Sequence, residues 1–217
     1  MPEKLSGQTH SCKFPNHVII DISNNFYRCF DSVKQVNMKL FPREQPTEWK
    51  DYFEEVLKKY DAPVIMKDKF SSDQNISARI ESMFMGNKLP IHHEWVEDIS
   101  MHIKLFARSH MMYPISFLLC IGENIFPHAT QWHRDIYPVQ DRLIFTEYGN
   151  TTEFVDNCAW VRKEFEEWPI VQNEAKVHSV PPHWLSIIAC GDNCIAHRIP
   201  PGKRIVVVCA GIQFSMF

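Results

Sequence analysis

Glycine is scarce. The 217 residues include 7 Gly, and neither GxGxxG nor GxxxxGK[ST] occurs. The Gly-rich turns that let a backbone close around a phosphate are therefore absent. Long apolar runs are lacking too. The longest candidate, residues 115–121 (ISFLLCI), falls far short of the roughly 20 residues that cross a bilayer. The opening MPEKLSGQTHSCKF carries no apolar segment of secretory type. A GxSxG elbow is missing, which removes the usual signal of a serine nucleophile. Neither sign of charge dominates: 23 Lys and Arg face 26 Asp and Glu, for a net charge of −3. That balance disfavours a broad nucleic-acid footprint. No internal repeat or low-complexity segment is visible. These absences predict a cytoplasmic protein with no membrane partner.

What is present is a globular composition, 45% hydrophobic and 23% charged, at a length that suits one domain. The seven Cys are odd in number, and several sit in apolar runs, so buried free thiols are expected. Histidine is abundant, with 11 residues. Abundance alone assigns nothing; spacing must.

The chain changes character near Tyr113. Before it, apolar residues recur at helical spacing. Thr47 is placed to cap a helix carrying Trp49, Phe53, Val56, Leu57 and Tyr60 at i, i+4, i+7, i+8 and i+11. A second helix is predicted over 73–85 around Ile76, Ile80, Met83 and Phe84. A third is predicted over 93–109, with Val96, Ile99, Ile103 and Phe106 on one side. Residues 18–22 read as an early strand. After Tyr113 short strands are predicted at 115–121, 142–148, 151–155, 184–189, 194–199 and 204–210, punctuated by Gly149-Asn150, Gly191-Asp192-Asn193 and Pro200-Pro201-Gly202. A helix is predicted over 159–168. Regular short strands with turn signals point to an antiparallel sandwich or barrel.

The sharpest local feature is Gln131-Trp132-His133-Arg134-Asp135. On a strand, His133 and Asp135 share one face. An imidazole and a carboxylate on one face supply two ligands to a divalent metal. His197, in a later predicted strand, is the best candidate for the third. Two His and one carboxylate that leave open positions form the facial triad of non-haem Fe(II) sites. Arg204 opens the strand after His197, and its guanidinium suits bidentate capture of a carboxylate in the same cavity. Arg142 is a rival for that role, sharing a predicted strand face with Ile144, Thr146 and Tyr148. Trp132 and Tyr137 flank the motif as candidate pocket walls. Glu153 is a candidate partner for a ligand histidine, or a surface charge.

The order HxD, His, Arg in a run of short C-terminal strands resembles the Fe(II)/2-oxoglutarate-dependent oxygenase superfamily. A closer likeness is to an uncharacterised bacterial family with HxD, RL, TE[WF] and HRxPP in order. The matching residues are His133-Arg134-Asp135, Arg142-Leu143, the T-x-x-G segment Thr146-Glu147-Tyr148-Gly149, then Thr152-Glu153-Phe154 and His197-Arg198-Ile199-Pro200-Pro201. The superfamily resemblance covers about residues 113–217. It implies an α+β fold with a double-stranded β-helix (jelly-roll) core in residues 113–217 and a mainly helical flanking region in 1–112, together one domain spanning 1–217. It implies that His133, Asp135 and His197 hold Fe(II) and act catalytically. Arg204 would hold 2-oxoglutarate, with Arg142, Thr146 and Tyr148 as further candidates for that molecule. The reaction implied is oxidative decarboxylation of the keto acid coupled to hydroxylation or demethylation of a substrate, with a small molecule or peptide favoured. The interval from His197 to Arg204 is short for that superfamily, which keeps Arg142 in contention.

Two alternatives stand beside this. Cys190, Cys194 and His197, with His183 or His178, offer a zinc ligand set of unfamiliar spacing. A jelly-roll module that binds a metal or small molecule without oxygenase activity would retain the same motifs.

Overall fold

The computed structural model describes residues 10–11, 17–20, 37–60, 62–110, 114–123, 125, 127–135, 139–155, 160–161, 169–172, 176–190 and 194–212. In chain order the elements begin with β1 (His10–Ser11), β2 (His17–Ile20), β3 (Met38–Phe41), α1 (Trp49–Lys59), β4 (Val64–Phe70), α2 (Ile76–Gly86) and α3 (His93–Ser109). They continue with β5 (Ile115–Glu123), a 3-10 turn (Pro127–Thr130), β6 (Val139–Gly149), β7 (Glu153–Val155), β8 (Trp160–Val161) and β9 (Ile170–Val171). The last four are β10 (Val177–Ser179), β11 (Leu185–Ala189), β12 (His197–Arg198) and β13 (Lys203–Ile212). No helix among the described residues is long and apolar enough to cross a membrane.

Two sheets carry the site. The larger has the order β1-β2-β3-β11-β6-β13-β5-β4 and is antiparallel except where β2 meets β3. The smaller has the order β10-β7-β12 and is antiparallel throughout. From β6 the chain crosses to β7 and β10, returns to β11, crosses to β12 and returns to β13. That alternation between facing sheets is a double-stranded β-helix, so the fold is α+β with a jelly-roll core.

The period-2 pattern of the central strands builds two cores at once. Phe117, Leu119, Leu143, Phe145, Ile187, Ile205 and Val207 face α1, α2 and α3, joining Phe53, Trp95, Ile99 and Phe106 in one buried cluster. Their neighbours Cys120, Ile144, Ile188, Val206 and Val208 face the smaller sheet and pack with Phe154, Cys194 and Ile195. The larger sheet is therefore buried on both sides. Hence 115–121 and 204–210 read as continuous apolar runs rather than alternating ones.

The helices form where spacing predicted. α1 buries Trp49, Phe53, Val56 and Leu57, but its N-cap is Glu48 with no side-chain cap bond, not Thr47. Asn75 caps α2 by accepting from Ala78 N, and α3 spans the predicted 93–109. The helical region also contributes β2, β3 and β4 to the larger sheet. In the predicted helix over 159–168, residues 160–161 instead form β8, paired with β9; residues 162–168 lie outside the described set.

One irregularity redirects side chains near the site. Val206 pairs with Thr146 while Ile205 pairs with Tyr148, so β6 accommodates Glu147 as one extra residue. This bulge ends the alternation that would have placed Tyr148 beside Thr146. Gly149 then closes the strand at φ 90°, where a Cβ would lie 2.2 Å from the Lys203 carbonyl. Only glycine fits that approach.

Candidate metal centre

His133 lies outside any strand, yet it pairs with His197 of β12 as an isolated antiparallel bridge. Each backbone N–H donates to the other residue's carbonyl at 2.9 Å. The imidazoles are thereby held with ring centroids 4.3 Å apart. Asp135, two residues on, turns to the same side. One donor atom each from His133, Asp135 and His197 fall within 4.8 Å of one another. Among the described residues this is the one group of three or more His, Cys, Asp or Glu close enough to share an ion.

The ring nitrogens are oriented by main chain. His133 Nδ1 lies 2.9 Å from the Gln131 carbonyl, and His197 Nδ1 lies 3.0 Å from the Ile195 carbonyl. A carbonyl only accepts, so each Nδ1 carries a proton, which leaves Nε2 as the nitrogen that a metal could take. Asp135 is held through its backbone: its N–H donates to Cys194 Sγ at 3.0 Å. The Cys194 carbonyl in turn accepts from Arg134 Nε at 2.9 Å.

The electrostatics keep the Asp135 carboxylate charged. Burial opposes charge on Asp135, yet the His197 and Arg142 cations hold its carboxyl down at about 2. Burial likewise opposes a proton on His197, but the Asp135 carboxylate outweighs it and raises the ring to about 10. His133 moves the other way, to about 4, through burial and the nearby His197 charge. Asp135 Oδ2 is buried and has no hydrogen-bond partner, although His197 Nε2 at 3.5 Å and Arg142 Nε at 3.1 Å balance its charge. An orphaned anionic oxygen beside two oriented imidazoles fits a divalent metal ion that takes N and O ligands.

A cavity of about 360 Å³ opens onto the three residues. Its walls are aliphatic: Leu118, Ile125, Ile144, Ile199 and Val208. His128 and Arg142 add polarity, with Arg142 reaching in from β6. The Arg142 side chain is 32% exposed.

The other sequence-derived candidates separate on inspection. Arg204 does not line this cavity. It is 3% exposed, donates to the Pro200 carbonyl, and borders a separate void of about 10 Å³ behind Ile125 and Ile199. A void that size holds about one water. Thr146 is buried on the cavity-side face of β6 but does not line the cavity. Tyr148 is turned by the Glu147 bulge to the helical side, where its hydroxyl donates to Glu54 at 3.2 Å. Glu153 pairs with Arg198 at 2.7 Å and touches neither ligand histidine ring. Arg198 lies over the Trp132 ring, 4.5 Å from its centroid, so Trp132 supports β12 and does not wall the cavity. Tyr137 lies outside the described residues. Cys190 and Cys194 do not join the metal-capable group, and burial pushes the Cys190 thiol far up.

Two residues important to the site were not singled out as such in the sequence. His128 lines the cavity from the 3-10 turn, whose Ala129 carbonyl accepts from Ile199 N at 2.7 Å. Cys194 read as a candidate zinc ligand and not as a support for the Asp135 backbone. Neither carries a spacing signal, because the contacts that matter span separate segments.

Three solved structures resemble the chain in fold at low identity. A full-length protein of Neurospora crassa, in complex with alpha-KG, is 9% identical, covers 96% of this chain and 89% of its own, with a TM-score of 0.49. The dioxygenase for auxin oxidation of rice is 11% identical over 88% of this chain and 78% of its own, at 0.46. The dioxygenase for auxin oxidation 1 of Arabidopsis thaliana, in its 2-oxoglutarate complex, is 12% identical over 91% of each chain, at 0.44. No curated protein matches the sequence. Residues 30–204 match the model of a family described as a protein of unknown function (DUF1826), and the chain belongs to that family.

Proposed function

We propose that this protein is a mononuclear non-haem Fe(II) oxygenase that uses 2-oxoglutarate and hydroxylates or demethylates a small molecule or peptide. The observation that carries the reading is the convergence of His133, Asp135 and His197 on the wall of an aliphatic cavity, with donor atoms within 4.8 Å. Two imidazoles and one carboxylate leave coordination positions open toward the cavity, which suits binding of a co-substrate and oxygen. Bound iron would supply oxygen activation, chemistry no side chain provides.

The chain's own residues do the rest. The Gln131 and Ile195 carbonyls fix both rings with Nε2 inward. Cys194 restrains the Asp135 backbone. The aliphatic walls exclude water and hold an apolar portion of the substrate. Arg142 is the cationic side chain facing the cavity, which favours it over Arg204 as the carboxylate partner of 2-oxoglutarate.

The test is succinate release. Purified protein with Fe(II), 2-oxoglutarate and air should form succinate, and Asp135→Asn should not. Zinc held tightly by the wild type with no succinate under any metal would overturn the oxygenase reading. That outcome would leave a jelly-roll metal-binding module.

A further inference from the structure

A second cavity lies among the helices, between the first turn of α2 and one face of α3. Its volume is about 460 Å³, within the range of small-molecule sites. It shares no lining residue with the cavity at His133. From α3 it takes Glu97, Ser100, Met101 and Lys104, at i, i+3, i+4 and i+7, the spacing of a single helix face. Asp73 lies just before the Asn75 cap of α2, and Ile76 and Ser77 open the helix.

The lining carries both signs of charge, and neither is paired. Among the described residues, the side chains of Asp73, Glu97 and Lys104 make no ion pair or hydrogen bond. The first two N–H groups of α2, on Ile76 and Ser77, have no helical acceptor, because the Asn75 cap serves Ala78 and Arg79. Ser100 is decisive. It is 7% exposed, and its Oγ has no hydrogen-bond partner. A helical serine can return its hydroxyl to the carbonyl four residues back; this one does not. A buried hydroxyl left unpaired in a cavity wall points to a ligand group that completes it.

We propose that this cavity binds a free amino acid with an apolar side chain. Lys104, the Ser100 hydroxyl and the two free N–H groups of α2 take its carboxylate, which suits the positive end of a helix. Asp73 and Glu97 take its ammonium. Its hydrocarbon rests on Ile76 and on Met101, which is 51% exposed. A simple anion would meet two carboxylates, and a simple cation would meet Lys104. A zwitterion satisfies both. The inference is independent of the metal reading.

Calorimetric titration of the full chain tests it with three related probes. L-Leucine carries both charges, leucinamide lacks the anion and N-acetylleucine lacks the cation. Leucine should bind saturably, and the other two should each bind at least about tenfold more weakly, the factor expected when a hydrogen bond to a charged group is lost. The variants should divide by charge. Lys104→Gln and Ser100→Ala should weaken leucine and leave leucinamide unchanged. Glu97→Gln should weaken leucine and leave N-acetylleucine unchanged. Leucinamide or N-acetylleucine binding as tightly as leucine would reduce the cavity to a site for one sign of charge and overturn the proposal. So would the absence of saturable leucine binding. Leucine affinity unchanged in all three variants would overturn it too, by placing the amino acid elsewhere.

Discussion

His133 and His197 exchange both of their backbone hydrogen bonds, each at 2.9 Å. Two candidate ligand rings from distant parts of the sequence are thus positioned by main chain. Their separation does not depend on long flexible side chains, and it is set before any metal arrives. Replacing either ring should remove metal affinity while leaving the bridge intact. His133→Ala is expected to lose zinc or iron binding by calorimetry with its far-UV circular dichroism unchanged. Unaltered affinity would refute the ligand assignment.

Cys194 offers a different kind of test. Its Sγ accepts the Asp135 N–H but belongs to no metal-capable group. Cys194→Ala leaves that buried N–H unpaired and lets Asp135 drift. Loss of such a supporting contact ordinarily costs about 10- to 100-fold in metal affinity. Cys194→Ser, which keeps an acceptor, should recover much of the loss. Equal affinity in Ala and Ser variants would show that Cys194 fills space and does not position the ligand.

The helical side of the sheet holds its own buried ion pair. Arg43 donates to both oxygens of Glu147, at 2.9 and 3.1 Å, and Gln45 donates to Glu147 at 2.7 Å. Asp98 also pairs with Arg43. Burial opposes charge on Arg43, but these carboxylates outweigh it and hold its pKa above the ordinary value. Removing one partner of a buried pair typically costs about 3–5 kcal/mol. Glu147→Ala should approach the lower end in urea unfolding, because Asp98 remains. An apolar double variant, Arg43→Met with Glu147→Leu, should recover part of that loss. Strict additivity of the two single losses would contradict the pairing.

Stability should also depend on pH through His110. Its Nδ1 lies 2.9 Å from the Phe106 carbonyl and its Nε2 lies 2.7 Å from Asp141 Oδ1, so both nitrogens face acceptors. Burial opposes the proton, but Asp141 outweighs it and raises the pKa above 6.5. The stabilisation is therefore full below the unfolded-state value and is lost as pH rises through the folded-state value. The unfolding free energy separating wild type from His110→Gln should be larger at about pH 6 than at about pH 9. Gly211 makes room for this pair, since a Cβ there would lie 2.2 Å from His110 Nε2. Gly211→Ala should weaken the same pH dependence. A gap between wild type and His110→Gln that stays constant with pH would rule out the charged pair.

Much of this molecule was legible in its sequence. α1, α2 and α3 declared themselves because one apolar stripe at helical spacing faces one sheet. His133 and Asp135 were legible because ligand spacing is local. His197 needed the longer pattern, HRxPP before a basic strand. The placements that local spacing did not foresee depend on register. Tyr148 leaves the cavity face because a single extra residue, Glu147, enters β6. Arg204 begins β13 as foreseen and borders a small void whose Ile125 and Ile199 also line the larger cavity. β3 and β4 were missed because the four residues of MKLF are all buried and the mixed VIMKDKF, on the edge strand, gives little period-2 signal.

The most direct test of the central claim is an anaerobic titration of the protein with Fe(II) and 2-oxoglutarate, followed by visible absorption. A weak charge-transfer band that requires both additions, and disappears in Asp135→Asn, is the predicted result. No band in wild type at saturating iron and keto acid, or the same band in Asp135→Asn, would contradict the account.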